Sequence, residues 1–176
     1  MKTYSTLERA TSLIIAEQGS PKNWNTSVDN LYSIYKSYLK TSKECGTDEG
    51  CFPQFNSTGY KRLNGNVSNA ENDIWDVNQN IRKLVLSDGV QLLFEYDSSD
   101  CTSKILDDSH ENICAAIWAD INGTKAPNQM GRDLFGFVLK ENGLYPVGCD
   151  NEDYCKITNS GYGCACRVLH EGKIDY

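Results

Sequence analysis

Asn112 to Tyr176 reads NICAAIWADINGTKAPNQMGRDLFGFVLKENGLYPVGCDNEDYCKITNSGYGCACRVLHEGKIDY. Its apolar residues fall in short β-favouring runs: Ile113 to Ile121 around Trp118, Leu134 to Leu139, and Leu144 to Val147. A turn-forming pair, Asn142-Gly143, separates the last two. Asparagine and glycine tolerate the backbone angles that hairpin turns demand, so the runs predict consecutive strands. Just upstream, Val90 to Tyr96 predicts one more strand, and the polar stretch Asp97 to Asn112 connects it to the Ile113 run.

The first half of the chain reads differently. Tyr4, Leu7, Thr11, Ile14 and Ile15 form one helical stripe, which predicts a helix over 3–18, capped by Gly19 and stopped by Ser20-Pro21. A second helix is predicted over 27–42, with Ser27 or Asp29 as its cap and Val28, Leu31, Ile34, Tyr35, Tyr38 and Leu39 on its apolar face. Residues 43–73 are rich in glycine, asparagine and serine and read as loop. Ile74, Val77, Ile81, Leu84 and Val85 again have helical spacing, predicting a short third helix over 74–87. Helices first and an antiparallel meander after them make an α+β layout. We read residues 1–176 as a single domain: a helix over 3–18, a helical and loop insert over 20–87, and the sheet with its C-terminal loop over 88–176.

The chain carries 24 acidic against 17 basic residues, a net charge of −7, and no basic run longer than a pair. Nucleic acid and anionic lipid are held by clustered lysine and arginine, so neither is an expected partner. The eight cysteines fall in couples, Cys45 with Cys51 and Cys101 with Cys114, and a quartet, Cys149, Cys155, Cys164 and Cys166. Local couples suit disulfides formed in an oxidising compartment, and they supplement a modest apolar fraction of 39%. The quartet has a rival reading as a zinc site, although it lacks the paired C-x2-C knuckles of tetrahedral zinc. Within the first predicted helix the longest near-apolar run is Leu13 to Ala16, and even the run Ile113 to Ala119 is far short of a membrane span.

The order Trp118, Asp120-Ile-Asn122-Gly123, Lys125-Ala-Pro127-Asn128, Gly131-Arg132-Asp133, Phe135-Gly-Phe137, Gly161-Tyr-Gly163-Cys164 and a terminal Lys173-Ile-Asp175-Tyr176 resembles the globular region of type IV pilin-like proteins, that is, pilins and the pseudopilins of type II secretion. The resemblance covers residues 88–176 and, more loosely, 2–18; residues 20–75 resemble no family. It implies a spine helix packed on a small antiparallel sheet, with Cys149 to Cys166 as a stapled loop forming an exposed contact surface. It also implies an apolar helix ahead of Thr3, membrane anchorage before assembly, and an extracytoplasmic home at a bacterial cell surface or in the periplasm. The implied role is a non-catalytic filament subunit of a pilus (fimbrium) or secretion pseudopilus, or an adhesion subunit. Its implied partners are other pilin or pseudopilin subunits and the inner-membrane assembly machinery, with the soluble part monomeric.

Asp120-x-Asn122-x-Thr124 has the oxygen spacing that opens calcium loops, with Asn128 or Asp133 as a further ligand. No cofactor is expected beyond this one candidate, calcium, and the other reading, with no metal, is a turn in which Asp120 and Asn122 bond their own backbone. Asp133 is expected to cap backbone N–H groups or to pair with Arg132, and the alternative is that Lys125, Arg132 and Asp133 form a solvated face. Gly161 and Gly163 are expected to let a loop pass close to the sheet. The only histidines are His110, in a polar run, and His170, near a helix end; no nucleophile elbow or zinc-protease motif is present, so no enzyme is expected. Asn25, Asn56, Asn66 and Asn122 begin Asn-x-Ser/Thr triplets. They sustain a second reading, a disulfide-rich secreted binding or adhesion module unrelated to pilins. A metal-dependent hydrolase built on Asp120 and Asp133 is the third.

Overall fold

The computed structural model describes residues 1–24, 27–52, 60–67, 79–105 and 110–176. Helix α1 spans Lys2–Gln18 and α2 spans Val28–Tyr38. They precede strands β1 (Thr41–Gly46), β2 (Ile81–Leu86), β3 (Gln91–Tyr96), β4 (Ser103–Ile105), β5 (His110–Ile113), β6 (Ala115–Asp120), β7 (Leu134–Lys140) and β8 (Gly143–Pro146). A closing helix α3 covers Cys164–Glu171. Six strands form one antiparallel sheet in the order β1-β2-β3-β6-β7-β8, and β4 and β5 pair as a separate hairpin. The architecture is α+β, as expected, with a sheet larger than the small one anticipated.

The ends of α1 and α2 follow from local chemistry. Gly19 sits at φ 79° and its N–H reaches the Ile15 carbonyl, so α1 closes where the glycine stands. The Ser27 hydroxyl accepts from the Asn30 N–H at 3.2 Å, satisfying an orphan donor at the start of α2. Leu39 turns extended (φ −110°, ψ 142°), and α2 ends at Tyr38, four residues before the expected limit. The chain enters β1 at once.

Both faces of the central strands are buried, by different parts of the chain. Leu84, Leu92, Phe94, Ile117, Phe135 and Phe137 form one face, and they pack with Leu7, Ala10 and Ile14 of α1 and Leu31 and Tyr35 of α2. Tyr4 stacks on Phe137 at 5.6 Å and Tyr35 tilts against Phe94 at 5.5 Å. Ile81, Leu93, Ala116, Trp118 and Leu134 form the opposite face, covered by Phe52, Tyr60 and the Cys45–Cys51 pair. Gly136 allows the close fit on this side, because a Cβ there would stand 2.7 Å from the Trp118 ring.

Two expectations are corrected. The helix predicted over 74–87 is strand β2 across Ile81–Leu86; residues 74–78 lie outside the described residues. The physical reason is burial on both faces: a doubly covered strand lacks the strict apolar–polar alternation of a half-buried one, and a run such as Ile81, Leu84, Val85 then mimics helical spacing. The segment read as loop from residue 43 begins inside β1, which adds to the sheet beside β2.

At the α1–α2 contact the Thr11 hydroxyl lies 2.6 Å from the Tyr35 hydroxyl and donates to the Leu7 carbonyl at 2.8 Å. Both residues are buried, and burial pushes the Tyr35 phenol well above its ordinary range. Tyr35→Phe removes this bond and leaves Thr11 bonded to its own helix. The expected cost is about 1 kcal/mol, seen as a fall of about 2–4 °C in Tm; an unchanged Tm would show that the bond contributes nothing.

Candidate functional site

The connection from β6 to β7, residues 121–133, carries the polar residues that the sequence singles out. Asp120, the last residue of β6, is fully buried. Its Oδ1 accepts from the Asn122 N–H at 3.1 Å, the self-bonded turn foreseen as the alternative to metal binding. Its Oδ2 accepts from the Tyr60 hydroxyl. Burial pushes Asp120 up to about 7, opposed by Tyr60 and reinforced by Asp133.

Asp133 is the second buried carboxylate, 2% exposed. Oδ2 accepts from the Asn128 N–H and Oδ1 from the Gln129 N–H, each at 2.6 Å. It therefore caps the loop backbone. Arg132 turns away and donates to the Tyr176 carbonyl at 2.7 Å. Burial raises the Asp133 carboxyl, and the Gln129 and Asn128 amides work against that rise. The Asn122 side-chain amide reaches Asp133 Oδ2 and the Ala126 carbonyl, both at 3.4 Å. Asn122 is thus turned into the loop and is not presented as a glycan acceptor.

Of the expected calcium ligands, the fold gathers Asp120, Asn122 and Asp133, with Asn128 beside them. Thr124 is exposed and is not brought to the cluster. Among the described residues no group of three or more His, Cys, Asp or Glu is placed to hold a metal. The donor set is two carboxylates and amide oxygens, all hard oxygen, which suits calcium in kind. The side-chain oxygens of Asn122 and Asn128 are buried and accept no hydrogen bond from a described residue. A hard cation is one group that would satisfy such oxygens.

Sequence reasoning missed what braces this loop. Lys61 N–H donates to the Asn128 carbonyl at 3.0 Å and Met130 N–H to the Lys61 carbonyl at 2.8 Å. The Gln129 side chain donates to the carbonyls of Arg62 and Leu63. Residues 60–67 come from the segment read as featureless loop. Their signal was Tyr60-Lys61-Arg62-Leu63, too short a β-favouring run to separate from its surroundings.

Next to the loop lies the C-terminal staple. Cys149 bonds Cys166 and Cys155 bonds Cys164, one bridge nested in the other, while Cys45–Cys51 and Cys101–Cys114 pair as the sequence suggests. No cysteine remains free, so the zinc reading of the quartet is overturned. As expected, glycine permits close approach here: a Cβ at Gly161 would stand 2.6 Å from the Met130 carbonyl, and one at Gly148 would overlap the Gly163 backbone. The Tyr176 hydroxyl donates to the Gly131 carbonyl, and the Arg167 guanidinium lies 4.9 Å from the Tyr176 ring centre. From Asp150 to Asn159 the staple is largely exposed, with Ile157 at 58%. His170 stands in the last turn of α3, as foreseen. The side chain of His110, and residues Asn25 and Asn56, lie outside what is described; Asn66 is exposed.

No protein-family model matches the chain, and no curated protein or solved structure matches it. Four disulfides suit an oxidising, extracytoplasmic environment. Among the described residues no helix is long and apolar enough to cross a membrane.

A third carboxylate adds to the pH response that raised Asp120 and Asp133 imply. Asp97, at the end of β3, has a buried Oδ2 that accepts no hydrogen bond from a described residue. Burial first and the neighbouring Glu95 second push it up to about 7, from an ordinary 3.8. A carboxyl raised by folding favours the native state while protonated in it, so this contribution is complete below about pH 4 and is lost as pH rises through about 7. Asp97→Asn stays neutral throughout. The variant is expected to match the wild type in Tm near pH 4 and to exceed it near pH 8; parallel Tm–pH curves would rule out the assignment.

Proposed function

We propose that this chain is the globular part of a non-catalytic subunit of a type IV pilus-like or type II secretion pseudopilus-like filament. The observation that carries the reading is the layout: an N-terminal helix lies along one face of an antiparallel meander, and a doubly stapled C-terminal segment sits exposed beside the β6–β7 loop. A filament subunit needs a rigid head on a spine, and α1 is fixed to the head through Leu7, Ala10 and Ile14. Subunits repeating by one heterologous contact generate an open helical assembly. The cell surface or periplasm of a bacterium is the compartment this reading requires.

Solvent access argues against hydrolysis at Asp120 and Asp133. Both carboxylates are buried and accept from Tyr60 and from backbone amides, so neither is presented on the surface to a substrate molecule. The disulfide-rich binding module remains the alternative, favoured by the exposed staple and its Ile157.

The native gene upstream of Thr3 decides between them. About 20 or more apolar residues there, behind a short basic leader, are expected for the filament subunit; a cleavable signal peptide ending at this point would instead establish the secreted module.

In this reading calcium, where present, is held by Asp120, Asp133 and the side-chain oxygens of Asn122 and Asn128, and it locks the β6–β7 loop. Calcium at about 100 times its Kd stabilises by about 2.7 kcal/mol, a rise of about 5–10 °C in Tm over chelator-treated protein. Asp133→Asn is expected to abolish the rise. Equal Tm with calcium and with chelator would leave Asp120 and Asp133 as turn residues alone.

A further inference from the structure

We propose that the groove beside α1 docks a second copy of this chain, taking the acidic end of that copy's sheet in a head-to-tail contact. The inference rests on the filament reading and names one of its contact surfaces.

The groove, about 860 Å³, runs along the outer face of α1, between it, the end of α2 and the β2–β3 turn. Its apolar surface includes Leu13, which is 45% exposed. Its cations are Lys2, Arg9 and Lys40, and its one carboxylate is Asp88. Asp88 is engaged by Lys2 at 2.9 Å. Arg9 and Lys40 have no carboxylate partner among the described residues. A positive, partly apolar groove on a chain of net charge −7 attracts an acidic surface, and the other copies of the chain supply one.

The topology says which surface. α1 starts at the β2–β3 turn, where Lys2 meets Asp88, and runs to the β7–β8 turn, where the Ser20 hydroxyl donates to the Glu141 carbonyl at 3.0 Å. In the antiparallel sheet β1 and β3 both finish at that second end. There the chain exposes Asp48 and Glu49 just past β1, and Asp100 just past β3. Hydrogen bonds from Ser98 and Thr102 hold Asp100 below the usual carboxylate range, so it stays ionised. Of the cations at that end, Lys22 is engaged by Glu141, Lys104 by Glu111 and Lys43 by the Gly50 carbonyl, and the Lys140 ammonium lies 5.7 Å from the Tyr145 ring centre. The molecule is therefore polar along the spine, with Arg9 and Lys40 lacking a carboxylate partner among the described residues on the side of the β2–β3 turn and a carboxylate rim at the other end. A copy displaced along α1 sets rim against groove, and the same contact repeats without closing.

A photo-crosslinking residue, benzoylphenylalanine, in place of Leu13 tests this directly, with crosslinked peptides identified by mass spectrometry. At high protein concentration and low salt, dimers are expected whose crosslinks fall near Asp48 to Cys51 or Asp97 to Thr102. Yield should fall with added salt, and about fivefold or more with Arg9→Glu or Lys40→Glu. Mixing the Arg9→Glu, Lys40→Glu chain with an Asp48→Lys, Asp100→Lys chain should restore it. No dimer, crosslinks elsewhere, or a yield indifferent to salt and to these reversals would overturn the proposal. An upstream apolar helix without such crosslinks would remove this contact and leave the filament; crosslinks without that helix would leave self-docking and remove the filament.

Discussion

Strand β6 is buried along its whole length on both faces, from Ala115 to Asp120, and the rest of the structure answers that constraint. A strand in this position needs two covers. Helices α1 and α2 supply one, over Ala115, Ile117 and Ala119. They cannot reach Ala116, Trp118 and Asp120, which point the other way. The segment between α2 and β3 dries that second face, with the Cys45–Cys51 bridge fixing Phe52 and the chain beyond bringing in Tyr60. This segment is therefore a structural half of the core. Removing it would expose Trp118 and leave a carboxylate on open sheet.

The same constraint makes the β6–β7 loop what it is. Asp120 ends a strand with no solvated side, so its charge is opposed by burial and supported by few donors. Tyr60 belongs to the second cover, and Asp133 takes two backbone amides at the far end of the loop. Loop and cover hold each other: Lys61 pairs with residues 128–130, and Leu63 and Asn64 donate to the carbonyls of Ser160 and Asn159 in the staple. Three segments far apart in sequence thus form one connected surface.

That arrangement explains what could be read from the residues and what could not. α1, β3, β6, β7 and β8 were legible because each has one dominant period and a clear turn signal, such as Gly19 or Asn142-Gly143. The 45/51 and 101/114 couples were legible from their spacing. β2 was not, since Ile81, Leu84 and Leu86 serve two buried faces and Lys83 lies fully buried between them, its ammonium donating to the Thr47 carbonyl. Patterning assigns a lysine to solvent, and only tertiary context reverses that. The nested pairing of the C-terminal quartet was illegible for a different reason: the nested and crossed pairings close loops of nearly equal cost. Asp133 was legible as a capping residue, while the choice between backbone and Arg132 needed the position of Tyr176.

The charge polarity along α1 and the proposed spine constrain one another. Exposed ion pairs contribute about 0–1 kcal/mol each. Arg9 and Lys40 against Asp48, Glu49 and Asp100 therefore cannot hold two free copies together at ordinary concentrations, and a monomeric soluble part is consistent with a real docking surface. Tethering changes the arithmetic. In the proposed filament, where apolar helices would align neighbouring subunits, the second contact becomes intramolecular, at an effective concentration in the millimolar range. A weak, orientation-specific contact then sets register without driving association by itself. Tight docking between heads would pair subunits before their spines were aligned. Weak docking at Arg9 and Lys40 follows the spine and leaves the stapled loop free to face outward.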